Sequence, residues 1–134
     1  MPIEIKDSMC FGCSPKNPIG LKMKFTEEGD ICRSVFTSTR EHEGWPGIMH
    51  GGILTTLLDE VMGNWLWFRE IVAMTVELNV KFSKPVPIGQ TITIEGKQDE
   101  RKGRVIMLEG QILLPDGTVA VKANAKFIQV KNSI

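Results

Sequence analysis

The sequence predicts an α+β domain in which one long central helix packs across a curved antiparallel sheet of five to six strands. Three observations predict it. Only one stretch carries a long helical period. Six shorter stretches carry strand-like patterns, two before that helix and four after it. The 134 residues, 42% hydrophobic and 24% charged, match an ordinary globular domain and suit one domain spanning 1–134.

The helix is predicted over 52–68. Leu54, Leu57, Leu58, Val61, Met62, Trp65 and Phe68 recur at helical spacing, while Thr55, Thr56, Asp59, Glu60 and Gly63 form a small or polar stripe opposite. The strands are read at 21–25, 31–39, 72–86, 91–96, 104–114 and 118–130. In the third of these Val76, Leu78, Val80 and Phe82 alternate with Glu77, Asn79, Lys81 and Ser83. Turn compositions separate them, notably Glu28-Gly29-Asp30, Lys102-Gly103 and Pro115-Asp116-Gly117, the last a hairpin signal. A single-helix sheet keeps open edges, and edge pairing between two copies would close them.

Lys+Arg and Asp+Glu both number 16, so the net charge is zero. That provides no global field to recruit nucleic acid or an anionic membrane, and a phosphate-bearing ligand needs a local basic cluster. Glu4, Lys6 and Asp7 interrupt the opening residues where a signal peptide needs an apolar run, and no stretch nears the ~20 apolar residues of a span. A cytoplasmic protein is expected. The odd count of cysteines, Cys10, Cys13 and Cys32, does not suggest a secreted disulfide framework.

Chemistry concentrates in Met49-His50-Gly51-Gly52-Ile53-Leu54-Thr55-Thr56-Leu57-Leu58-Asp59-Glu60. Two glycines opening a helix let a ligand approach the backbone. The first helical N–H groups lack internal partners and sit at the positive end of the macrodipole. Gly51 and Gly52 are therefore candidate donors to a carbonyl oxygen that turns negative in a transition state; one such donor is worth about 3–4 kcal/mol in other enzymes. Asp59 lies among apolar residues, where a carboxylate is costly unless paired or facing a wet cleft, and it is the candidate base. The eight residues between Gly51 and Asp59 rise about 12 Å. One chain does not easily bring both to one carbon, whereas two helices related by a two-fold axis do. The bland alternatives are a glycine loop and a solvated aspartate.

His50-Gly51-Gly52 followed by Asp59 resembles the hot-dog-fold acyl-CoA thioesterases of the PaaI-like type. The resemblance covers nearly the whole chain. Cys10-Phe11-Gly12-Cys13-Ser14-Pro15-Lys16-Asn17-Pro18-Ile19-Gly20-Leu21 is similar to the opening of one branch, and residues 75–85 resemble the strand after the helix. The resemblance implies a hot-dog fold, a homodimer or dimer of dimers, and hydrolysis of an acyl-CoA or aryl-CoA thioester, with no cofactor beyond the coenzyme A of the substrate. It implies that the Gly51 amide polarises the carbonyl while Asp59 of the partner subunit acts on water or as nucleophile. His50 would orient the loop or touch substrate, and Thr75 would position the water. Ser83 and Lys84, with Arg101, Lys102 and Arg104 around one turn, match the regions that hold the nucleotide. Many members carry Asn or Gln where this chain has Gly44; Glu43, His42 or a water is the expected substitute.

Cys10-x-x-Cys13 has the spacing of half a zinc site or of a redox pair. Cys32, His42 and His50 complete no zinc pattern, so a packed loop and no metal are expected. Trp65, Trp67 and Phe68 with Met62 crowd the helix end as core, interface or acyl pocket. Competing functions are enoyl-thioester hydration, faintly suggested by Trp45-Pro46-Gly47 near His50, and non-catalytic acyl-CoA binding, suggested by Gly44.

Overall fold

The apolar period of the central segment becomes α1, Gly51–Phe68, in a computed structural model that describes residues 8–130. The opening residues read above for a signal region, 1–7, lie outside the described residues. Around α1 run β1 (Thr26–Glu28), β2 (Ile31–Thr37), β3 (Ala73–Phe82), β4 (Thr91–Lys102), β5 (Val105–Leu113) and β6 (Val119–Gln129). They form one antiparallel sheet in the order β1-β2-β4-β5-β6-β3, so β3 is an edge strand.

The helix sits close on the sheet because a row of small residues lies beneath it. Gly96, Gly110 and Ala123 are register neighbours across β4, β5 and β6. A Cβ on Gly96 would lie 3.1 Å from Val61, and one on Gly110 would lie 3.2 Å from Leu58. Leu54, Leu57, Leu58, Val61, Met62, Trp65 and Leu66 of α1 are buried there against Ile92, Ile94, Ile106, Leu108, Ile112 and Phe127. Each such side chain adds roughly 1.5–3 kcal/mol when fully buried.

Four details differ from the sequence reading. Residues 21–25 alternate as expected, with Leu21 and Met23 buried, yet they form no strand; Lys22 takes a φ of 53°, and the segment bonds instead to Phe11 and Gly12. The strand before β2 is the short β1. β4 runs to Lys102 rather than stopping at Gly96, with a bulge between Gln98 and Glu100. Phe68 is 47% exposed, and Leu66 takes its place in the core. The chain leaves α1 through a Schellman turn: Ile71 N–H donates to the Leu66 carbonyl and Glu70 N–H to that of Trp67, with Glu70 at φ 58°. The Pro115-Asp116-Gly117 hairpin joins β5 to β6 as expected, Gly117 taking a φ of 88°.

Candidate active site

His50 is the N-cap of α1. Its extended backbone (φ −63°, ψ 132°) feeds the helix, and its Nδ1 accepts the Gly52 N–H at 2.8 Å. This contact explains the second glycine, since a Cβ on Gly52 would lie 2.9 Å from the imidazole Cε1. It also explains Gly44, where a Cβ would lie 3.1 Å from the His50 Cα and leave no room for Asn or Gln without movement. Neither expected substitute stands free: Glu43 Oε2 accepts the Gly47 N–H, and His42 Nδ1 accepts the Thr39 N–H.

The Ile53 and Leu54 amides both donate to the His50 carbonyl, and Gly52 is capped. Among the described residues, the Gly51 N–H has no acceptor. It is the one donor of this turn left for a ligand. A hollow of about 200 Å³ opens beside it, lined by Gly51, Leu54, Phe82, Ser83, Lys84 and Val86. Phe82, the last residue of β3, packs 3.6 Å from where a Gly51 Cβ would be. Ser83 and Lys84 are held there by their amides, which both donate to the Ala120 carbonyl.

The second group of predicted residues lies at the other end of β3. Thr75 Oγ1 donates to Asp59 Oδ1 at 2.9 Å. Asp59 is half-buried, while Thr75 is exposed beside the bulge at Val76. Ala73 pairs with Gln129, and around Gln129 gathers the β4–β5 turn. Arg101 donates to Gln129 Oε1 and to the Gly103 carbonyl, and Arg104 Nε donates to the Gln129 carbonyl. Lys102 is exposed on the same turn.

The predicted site therefore divides in two. His50, Gly51, Gly52, Ser83 and Lys84 surround the Phe82 end of β3. Asp59, Thr75, Arg101, Lys102 and Arg104 surround the Thr75 end. Thr75 and Phe82 are seven residues apart, or about 23 Å of strand. A wider hollow of about 580 Å³ on the polar outer sheet face, among Lys81, Glu95, Lys97 and Lys122, holds none of the predicted residues.

A long helix wrapped by a six-stranded antiparallel sheet, opened by glycine, with an exposed terminal strand, is the architecture of a hot-dog domain. The chain belongs to the thioesterase superfamily, whose family profile matches residues 46–121, more than half its length. It is 30% identical over 98 residues to the mouse (Mus musculus) acyl-coenzyme A thioesterase THEM4, a match covering 72% of this chain and 42% of the relative. The chain thus spans about two fifths of that relative's length. The crystal structure of another thioesterase superfamily protein superposes with a TM-score of 0.84 at 28% identity, covering 92% of this chain and 63% of that one. The E. coli PaaI protein from the phenylacetic acid degradation operon superposes at 0.76 with 16% identity, covering 81% and 83%, a likeness of fold. Among the described residues, no helix is long and apolar enough to cross a membrane.

Proposed function

We propose that the protein hydrolyses acyl-CoA or aryl-CoA thioesters as a homodimer whose β3 edges pair antiparallel across a two-fold axis. The division of the site between the two ends of β3 carries this reading. Antiparallel pairing of two β3 strands sets the Thr75 end of one copy beside the Phe82 end of the other. It joins Gly51 of one protomer to Asp59 of the partner subunit, and it brings Lys84 toward the basic turn of the partner. The edge is suited to it: β3 has ten residues, and Met74, Val76 and Phe82 are 67%, 56% and 52% exposed. An apolar edge of that length is an aggregation hazard unless it is paired.

In the joined site the thioester carbonyl oxygen meets the free Gly51 N–H at the positive end of α1. Asp59, oriented by the Thr75 hydroxyl, takes a proton from water as the water oxygen bonds to the carbonyl carbon. The oxyanion collapses, the carbon–sulfur bond breaks, and the coenzyme A sulfur leaves with the proton returned from Asp59. The products are a carboxylic acid and a free thiol. His50 serves as the cap that keeps Gly51 open, and Lys84, Arg101, Lys102 and Arg104 supply cations for the phosphates of the nucleotide. The name of the mouse relative agrees with this chemistry and substrate.

The test is a panel of acyl-CoA and aryl-CoA thioesters followed by release of free thiol, with Asp59→Ala as control. Two inactive variants, Asp59→Ala and Gly51→Pro, are then mixed under conditions that exchange subunits. A shared site regains about a quarter of the wild-type rate, because half the dimers are mixed and each carries one intact site. No thiol release from any thioester, hydration of an enoyl-CoA instead, or no recovery on mixing would sink the proposal.

A further inference from the structure

The strongest feature that the hydrolytic reading leaves unused lies one residue beyond Asp59. We propose that Cys10, Cys13 and Glu60 form a zinc site that clips the N-terminal segment onto α1. Their ligand atoms, two sulfurs and one carboxylate oxygen, all lie within 4.8 Å of one another. Tetrahedral zinc needs them about 3.5–3.8 Å apart, given its bond lengths to sulfur and oxygen. Cys10 Sγ already donates to Glu60 Oε1 at 3.5 Å. All three residues are half-buried.

The surrounding chain is built to hold this group. The Ser14 amide donates to the Cys10 carbonyl at 3.0 Å, closing the Cys-x-x-Cys turn. The Leu21 and Met23 amides donate to the Phe11 and Gly12 carbonyls at 2.8 and 2.9 Å, tying that turn to the segment that follows. Gly12 is the residue that admits the carboxylate. A Cβ there would lie 2.2 Å from Glu60 Cγ and 2.5 Å from Oε1, so any side chain at position 12 expels Glu60 from the cluster. Burial pushes the Cys13 thiol well above its ordinary value, helped by its bond to Cys10 and the charge of Glu60. Burial also pushes the Glu60 carboxyl up. A dication bound among them would favour the charged forms that burial opposes at Cys13 and Glu60.

Two thiolates and one carboxylate in tetrahedral reach select zinc among the common divalent ions and leave one position for water. As the sulfurs coordinate, Cys10 and Cys13 lose their protons to solvent, so affinity rises with pH. The residues weighed from sequence as further ligands are engaged elsewhere: Cys32 is buried under Glu27 and Arg69, His42 holds Thr39, and His50 caps α1.

The experiment uses the full chain, reduced and freed of metal. Cobalt(II) titration should give a near-ultraviolet thiolate-to-metal band saturating at one equivalent, and zinc should abolish it. Zinc affinity, measured against a chromophoric chelator, should fall more than ~100-fold in the Cys10→Ser/Cys13→Ser double variant, beyond the loss of an outer-shell partner. Glu60→Gln and Gly12→Ala should each lower it ~10–100-fold, the second by displacing the carboxylate with both thiols intact. Zinc should also raise the melting temperature of the wild type and not of the double variant. The proposal is overturned if cobalt gives no thiolate band in the wild type. It is equally overturned if zinc binds Glu60→Gln as tightly as wild type, or if air oxidation to a Cys10–Cys13 disulfide is the sole chemistry of the pair.

Discussion

At one end of β3, around Phe82, the protein gathers a free backbone donor, a hollow and a lysine; at the other, around Thr75, it gathers a carboxylate, a hydroxyl and two arginines. The first end offers an unpaired backbone N–H and, among its predicted residues, no carboxylate. The second offers the Asp59 carboxylate, held by the Thr75 hydroxyl. The same helix serves both ends, because α1 lies along β3 with Gly51 near Phe82 and Asp59 near Thr75. Each half is made rigid locally, by the His50 cap at one end and the Thr75 hydroxyl at the other. If the two ends meet across paired edges, as proposed above, the edge strand between the halves is as much a part of the site as either.

Breaking the edge should therefore have the largest effect. Met74→Lys with Val76→Lys places two charges on the exposed rim of β3, a device that opposes strand pairing. The expected outcome is a monomer by light scattering and a thioesterase rate lowered ~10³-fold or more, at least as far as loss of the base itself. A monomer with full activity would refute the comparison outright.

Gly51→Pro sharpens it from the donor side. Proline suits the first helical position, where no internal hydrogen bond is lost, and His50 already has the extended backbone that precedes proline well. An added Cβ meets Phe82 at 3.6 Å, an ordinary contact distance. The variant should fold with a stability within about 1 kcal/mol of wild type, while kcat falls ~10²–10³-fold through loss of one N–H. Thr75→Val asks less of the acid side. It removes the hydroxyl that orients Asp59 and keeps the shape, so kcat should fall about tenfold with KM unchanged. A change in KM alone would make Thr75 a binding contact instead.

Much of this was legible in the residues, for identifiable reasons. The helical period of Leu54 to Trp65 and the Gly-Gly before it located α1, because burial on one face leaves a pattern that local sequence cannot hide. The six-residue extension of β4 was not legible. Lys97-Gln98-Asp99-Glu100-Arg101-Lys102 is solvated on both faces and held by pairing to β5, an interaction remote in sequence. The loss of a strand at 21–25 turns on Lys22, whose positive φ no propensity announces. In the site, spacing alone suggested that Gly51 and Asp59 would need two chains to meet. It did not show that Gly44 and Gly52 are small on account of His50, since both contacts cross the turn that the cap creates. Nor did it pair Glu60 with Cys10, fifty residues apart. The cue was present in hindsight, in a glycine between two cysteines and a second acid beside Asp59.

The smallest predicted effect is a control placed away from both ends of β3. Glu95, on the outer sheet face, accepts Arg33 Nε at 2.8 Å and Gln111 Nε2 at 2.9 Å, and Arg33 also pairs with Glu28. Burial works against its charge, but the Gln111 amide and the Arg33 guanidinium outweigh that and hold its carboxyl below the ordinary value of 4.5. A carboxylate depressed in the folded state stabilises the fold above its unfolded value and loses that contribution as pH falls through the folded one. Glu95→Gln should thus be about 1 kcal/mol less stable near neutrality, and the gap to wild type should narrow as the pH drops below 4.5. Thermal melts from pH 7 to pH 3 check this, and thiol release at neutral pH should match the wild type within about twofold. If Glu95→Gln lost activity on the scale of Gly51→Pro, the outer face would join the two ends of β3 as a third part of the site, and a two-ended account of the molecule would no longer stand.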